Sequence, residues 1–393
     1  RLVDIIGSAA YRVNITTFHS FCNNIIRDFP DEFPRIIGSR PASDIRQIGI
    51  IEKIVAENKF DLLKPFGDPS YYVLPALHMI RNLKRENISA TRFGELVVGD
   101  EKRTKNAPDR LHEKGAHKGK LKASYRDLEK QVEKNKELVR VYELYEKVLL
   151  TERLYDYEDM ILETIRTLEE NPDLLLTLQE NYQFILADEH QDANAAQNRI
   201  LELLASFDDN PNICVVGDEK QAIFRFQGAS LENFLSFKKK FPKAKIVSLE
   251  ENYRSRQSIL DAAHSLILKN NVKDEALRTR LVASAAVDAS GVSENLAPDI
   301  SGPIPAIILR EFAEEGLEMA FLAQDIEQKI KNGAHPRSIA IIYRENRDAF
   351  PIIRALETVA VPYVVRSDQN VLADMQVRKL ITLFKAVLEP SRD

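Results

Sequence analysis

Ile185-Leu186-Ala187-Asp188-Glu189-His190-Gln191-Asp192 is the stretch whose reading decides the fold. The apolar run from Phe184 to Ala187 reads as a buried strand, and two adjacent carboxylates follow it directly. In an open α/β sheet, ligands bind outside the carboxyl ends of the strands, where Asp188 and Glu189 would emerge. One carboxylate there can hold Mg²⁺ through its water shell, and its neighbour can position and deprotonate an attacking water. An acidic pair at a strand end is more often just a turn, so this reading needs a second signal.

That signal is Ile213-Cys214-Val215-Val216-Gly217-Asp218-Glu219-Lys220-Gln221-Ala222-Ile223-Phe224-Arg225-Phe226-Gln227-Gly228-Ala229, another apolar strand ending at Gly-Asp, then Gln and an aromatic pair. Leu249-Glu250-Glu251-Asn252-Tyr253-Arg254-Ser255 follows it, and Ile15-Thr16-Thr17-Phe18-His19-Ser20-Phe21 precedes them all. In order and spacing these four blocks resemble motifs Ia, II, III and IV of superfamily 1A DNA helicases, the UvrD/Rep/PcrA group. Tyr155-Asp156-Tyr157-Glu158-Asp159-Met160-Ile161 is similar to the family's DFDDL segment, Ser338 to Asn346 to its AVLYRTN strand, and Val361-Pro362-Tyr363-Val364-Val365 to its IPY strand. The resemblance covers essentially the whole chain, most weakly from about 60 to 140 and from 270 to 300.

The resemblance implies an α/β fold: two incomplete RecA-like parallel-sheet domains, with a mainly helical insert in the first. Residues 1–60 and 181–243 would form the first RecA-like domain, 61–180 the insert, and 244–393 the amino-terminal part of the second. It also implies roles. Asp188 would bind Mg²⁺, and Glu189 would be the base for ATP hydrolysis. Gln221 would sense the γ-phosphate, Gln191 would couple the carboxylate loop to neighbouring motifs, and Arg254 would be an arginine finger. Tyr253 would stack on adenine, although simple packing explains a bare Tyr there equally well. Thr17, Phe18 and His19 would line a single-strand track, with His19 as a plain buried or capping residue nearly as good a reading. Phe226 would stack on a base, and Tyr343-Arg344 would contact the strand from the second domain. Aromatic stacking suits a motor that moves along any sequence, because every base offers a π-face.

Some positions depart from the family pattern. His190 stands where Tyr, Phe or Ala is usual, Ala222 follows Gln221 where Ser is common, Phe224 replaces Tyr, and Gln227 replaces an Arg. No carboxylate, Gln or finger is lost. A phosphate-cradling loop ending in Gly-Lys-Ser/Thr is absent among the fourteen glycines. Gly115-Ala116-His117-Lys118-Gly119-Lys120-Leu121 comes nearest, but it is one residue short, ends in Leu and follows no strand. The resemblance places that loop before residue 1 and the later motifs beyond Asp393. The chain is therefore expected to be an internal piece of a longer 3′-5′ helicase, hydrolysing ATP poorly by itself. Its partners would be single-stranded DNA and single-strand/duplex junctions. Two other readings stay open: the helicase segment of a RecB/AddA-type helicase-nuclease, and a non-catalytic single-strand-binding protein.

Composition fits a soluble protein of the cytoplasm. The 393 residues are 44% hydrophobic, enough for two or three cores. No apolar run approaches a membrane span. Cys22 and Cys214 fall in apolar segments and read as buried thiols. A net charge of −5 does not exclude a local basic groove, since counterion release depends on the contact surface. The span 102–136 is rich in Lys and Arg and reads as a solvated loop or a DNA-contacting surface, feeding a helix from about Tyr125 to Thr151. Later, strands are expected at 245–249, 306–310, 338–343 and 362–366, and helices at 258–269, 314–332, 347–360 and from about 374. Residues 270–305 read as irregular.

Overall fold

The computed structural model describes residues 2–112, 118–208, 210–221, 237–269, 280–284, 307–366, and a few between 377 and 384. The chain divides into two compact units, Arg1–Ile246 and Val247–Asp393. It is a mixed α/β protein with small parallel sheets.

The first unit opens with a short helix, α1 (Leu2–Ile6), and builds two cores. Helix α2 (Phe18–Asp28) starts at Thr17, whose hydroxyl accepts the Ser20 N–H, and it buries Cys22, Ile25 and Ile26 at helical spacing. These residues pack with α7 (Asp159–Glu170), α8 (Pro172–Asn181) and α9 (Ala195–Leu204) into a core that includes Ile161, Ile165, Leu168, Ile200 and Leu204. The second core is mainly helical. It joins α3 (Asp44–Glu57), α4 (Val73–Arg85), α5 (Ala90–Asn106) and the long α6 (Ala123–Thr151) through Ile51, Leu77, Ile80, Val141, Tyr145 and Leu149. Strand β1 (Arg40–Pro41) pairs in parallel with β2 (Leu154–Tyr155), which marks where the chain leaves one core and returns. By packing, the second core draws on residues from Ala42 to Leu154, whereas the resemblance sets the insert at 61–180. Helix α3 packs in the second core, and α7 and α8 pack in the first.

Beside the first core, β3 (Ile185–Ala187) pairs in parallel with β4 (Ile213–Val215) in the register Ile185↔Ile213, Leu186↔Cys214, Ala187↔Val215. Both strands alternate, with Ile185 and Ala187 half-buried and Leu186 78% exposed. The expectation of a fully buried strand therefore fails. Only one face of this two-stranded ladder is covered among the described residues, so period-2 alternation turns every second side chain to solvent. The same geometry exposes Cys214, against its expected burial, whereas Cys22 is fully buried with its thiol pushed up to about 12 by desolvation.

In the second unit, α10 (Gln257–Ile267), α11 (Glu315–Lys331) and α12 (Ala349–Thr358) fall where helices are expected. The strands do not. β5 (Glu251–Asn252) pairs in parallel with β6 (Val282–Ala283), inside the span expected to be irregular. Residues 245–249, 307–310, 339–343 and 362–366 form no ladder among the described residues. They still carry a strand's pattern. Ile339, Ile341 and Tyr343 pack on a core of Ile326, Ile352, Leu356 and Val361, while Ile342 between them is 95% exposed. Residues 14–17, ahead of α2, likewise join no ladder among the described residues. Most of the expected final helix lies outside the described residues. No helix among the described residues is long and apolar enough to cross a membrane.

Candidate functional site

The carboxyl ends of β3 and β4 lie side by side, because the parallel register continues past the strands: Val216 N–H donates to Ala187 O at 2.8 Å, and His190 N–H donates to Val216 O at 2.9 Å. The β3 end must turn sharply to meet β4. Glu189 makes that turn with left-handed backbone angles, φ 50° and ψ 41°, costing about 1–2 kcal/mol in a residue with a Cβ. The Oδ1 of Asp188 accepts the Glu189 N–H at 3.0 Å. Both acidic side chains are exposed, while His190 and Gln191 beneath them are buried.

Gln191 is the centre of a hydrogen-bond relay. Its Nε2 donates to Glu189 Oε2 at 2.6 Å, and its Oε1 accepts the Asp218 N–H at 3.0 Å. Asp218 in turn accepts the Lys220 N–H on Oδ1 at 3.0 Å and the Gln221 Nε2–H on Oδ2 at 2.8 Å. An unbroken path thus runs from the Glu189 carboxylate to the Gln221 amide. Gly217 is dictated by this path, since a Cβ there would stand 2.7 Å from Gln191 Oε1 and 3.2 Å from the Gln191 nitrogen. Behind the turn, His190 Nε2 bonds Asn198 Oδ1 at 2.8 Å and its ring meets Phe237 edge-on at 5.6 Å. Burial pushes the His190 pKa down, so the ring is neutral at neutral pH. Burial, and then the Glu189 charge, push the Asp192 carboxyl up. A reciprocal capping box, Asn194 with Gln197 at 3.0 and 3.1 Å, starts α9 directly after the turn.

A second assembly lies at the start of α2. Thr17 is the exposed helix cap, and Phe18 packs half-buried on the first core. His19 stacks flat on Tyr157, with ring centroids 3.7 Å apart and an interplanar angle of 13°. Tyr157 is 59% exposed. Desolvation lowers the His19 pKa against the raising effect of Glu158, which leaves a neutral, stackable ring.

The structure therefore brings Asp188, Glu189, Gln191 and Gln221 together in the first unit, and sets Thr17, Phe18 and His19 at one helix start. Tyr253 and Arg254 stand in the second unit, in the exposed turn after β5. There Asn252 Oδ1 accepts the N–H groups of Arg254 at 2.9 Å and Ser255 at 2.7 Å, and the Tyr253 hydroxyl donates to Glu251 at 2.6 Å. Of the strand-contact candidates, Tyr343 is half-buried on the second unit's core and Arg344 is exposed. Phe226 lies outside the described residues. In the basic span, Arg103, Lys105, Arg110 and Lys122 pair with Asp100, Glu101, Glu129 and Asp109. Sequence reasoning missed Asp218 and Tyr157 as participants. Each sits inside a quoted motif, so the signal was an unassigned residue next to an assigned one.

Comparison with known proteins agrees with this layout. Residues 1–242 match the UvrD/REP helicase N-terminal domain, and residues 247–393 match the UvrD-like helicase C-terminal domain. The ATP-dependent DNA helicase PcrA of Staphylococcus aureus (strain Mu50) is 27% identical over 397 residues, covering 100% of this chain and 46% of that protein. PcrA of Staphylococcus epidermidis is 27% identical over 398 residues with the same shares. The chain spans about half the length of the curated relatives it matches. With both domain families matched in order across the site just described, the chain belongs to the UvrD/REP helicase family.

Proposed function

We propose that the chain is the motor part of an ATP-dependent DNA helicase that translocates 3′-5′ on single-stranded DNA and opens duplex at single-strand junctions. The observation that carries this reading is the relay from Glu189 through Gln191 and Asp218 to Gln221 at the carboxyl ends of two parallel strands. A carboxylate poised to deprotonate water needs a partner that reports whether the γ-phosphate is present, and this path supplies one.

The donor set at Asp188 fits Mg²⁺. It is an exposed carboxylate at a strand end, with one oxygen fixed by the Glu189 N–H and a second acid beside it. Bound there, the ion would neutralise phosphate charge. Glu189 takes the proton from the attacking water, its carboxylate held by the Gln191 Nε2–H. Gln221 meets the γ-phosphate, and its loss passes through Asp218 to Gln191. Arg254 takes the role of arginine finger towards the γ-phosphate, and Tyr253 that of stacking on adenine. On the DNA side, Thr17 and Phe18 flank the track, the His19–Tyr157 stack offers an outer π-face to a base, and Phe226, Tyr343 and Arg344 add further contacts. Since the 393 residues hold no phosphate-cradling loop, the chain taken alone hydrolyses ATP poorly.

The test is ATP turnover by the gene product as expressed from its own locus, with and without single-stranded DNA. Glu189→Gln is expected to lower DNA-stimulated turnover by about 10²-fold or more while single-strand binding persists. Turnover unchanged in Glu189→Gln would remove the assigned base.

A further inference from the structure

One residue before its end, helix α4 carries a lysine whose burial is complete. Lys84 is 1% exposed, and its ammonium lies 2.5 Å from Asp156 Oδ2, 2.8 Å from Asp159 Oδ1 and 2.7 Å from Glu146 Oε1. Those three carboxylates offer oxygens within 4.8 Å of one another, close enough together for one cation. Here a side chain of the same protein fills it. Tyr145 closes the cage, with its hydroxyl donating to Asp156 Oδ2 at 3.2 Å and its ring 5.3 Å from the ammonium.

The remaining oxygens of the two aspartates close the turn between them. Asp156 Oδ1 accepts the Asp159 N–H at 3.0 Å, and Asp159 Oδ2 accepts the Asp156 N–H at 2.9 Å. Each carboxylate thus has one oxygen on the turn and one on Lys84. The next residue of α4, Arg85, binds Glu158 of the same turn at 3.1 Å. The one residue of the turn that none of these bonds consumes is Tyr157, which lies flat on His19 and is 59% exposed.

We propose that Lys84 is a positioning residue for strand binding: its ammonium, gripping Asp156 and Asp159 from the helical insert, sets the turn that holds Tyr157 against His19 as a base-stacking platform. This deepens the function proposed above and rests on it for the base. A pure stability role does not require the cation to bracket an exposed aromatic, nor two consecutive residues of one helix to hold both flanks of that aromatic. A buried cation is also an expensive way to gain stability, because desolvation offsets most of the attraction.

The experiment uses two readouts on the 393-residue chain. The first is the ring-current shift of the His19 protons by NMR, which reports the stack without DNA. The second is the affinity for a short oligothymidylate against an abasic oligomer of equal length, which isolates the contribution of the bases. Lys84→Ala is expected to move His19 towards its unstacked shift and to lower the base-dependent preference by about tenfold, leaving abasic binding unchanged. Propylammonium, which replaces the deleted atoms, restores both. Lys84→Arg keeps the charge but not the shape. Should Lys84→Ala fail to fold, Lys84→Arg carries the test, and it is expected to lose the preference in part. Tyr157→Ala loses the same preference, and adding Lys84→Arg to it removes nothing more. An unchanged His19 shift in either lysine variant would overturn the proposal, as would an intact base preference in a folded Lys84→Arg protein whose Tyr157→Ala counterpart has lost it. Should the wild-type chain show no base preference while the His19 shift still depends on Lys84, the positioning survives and the strand reading above fails instead.

Discussion

Glu189 and Lys84 place opposite charges under opposite conditions. Glu189 is exposed on a strained backbone, where water and substrate reach it, and its orientation is held by Gln191 rather than by burial. Lys84 is sealed among carboxylates, and its pKa stays well above the ordinary value because Asp156, Asp159 and Glu146 outweigh its desolvation. The cage has a titratable consequence at Asp156. Burial pushes this carboxyl up to about 6, with Asp159 and Glu158 adding to the rise and Lys84 opposing it. A folded-state pKa above the unfolded value means the folded chain keeps a proton that the unfolded chain has lost. This contribution to stability is full below about pH 3.8 and disappears as the pH rises through about 6. Carboxyl-carbon NMR should find Asp156 titrating near that value, and higher in Lys84→Arg if the new guanidinium sits less closely against it. Titration at an ordinary aspartate pH would mean that the carboxyl is not buried as described.

Helix α9 shows how an element fixes a site it does not enter. Its capping box begins two residues after Asp192, so the start of the helix sets where the motif turn ends. Its Asn198 then holds His190 from below. Asn194→Ala should cost about 1 kcal/mol in urea denaturation, and more than that if the motif turn loosens with it. No loss of stability would show that the cap carries none of the turn. The helices of both units were legible in the sequence because their apolar residues recur at helical spacing, as at Cys22, Ile25 and Ile26 or Ile352 and Leu356. Strands were legible as alternation but not as pairing. Residues 339–343 alternate as a strand does and yet join no ladder among the described residues, since pairing depends on a neighbour that local sequence does not specify. The same limit governs the sites. Asp188, Glu189 and Gln191 could be read because they share one short block, and Gln221 because its own block has a recognisable strand-Gly-Asp pattern. Lys84 could not, since its partners lie 72 and 75 residues away. Nor did composition reveal that α3 packs in the second core.

Across the whole chain, the first unit holds two assemblies that the proposed function must join, a nucleotide end at β3 and β4 and a strand end at α2 and the Tyr157 turn. Both are anchored in the same core: α2 and α7 pack together, and α7 and α9 do as well. The helical insert reaches this core through Lys84 and Arg85, and through Arg35, which binds Glu146 at 2.9 Å and also pairs with Glu163. The proposed function therefore requires coupling, meaning that the state of the nucleotide is felt by the DNA side through Gln191. The most direct measurement is the ratio of ATP turnover with single-stranded DNA to turnover without it, in the gene product as expressed from its own locus and in its Gln191→Ala variant. Losing the bonds to Glu189 and Asp218 should bring that ratio down towards one while single-strand affinity is kept. A Gln191→Ala protein stimulated by DNA as strongly as the wild type would contradict the account.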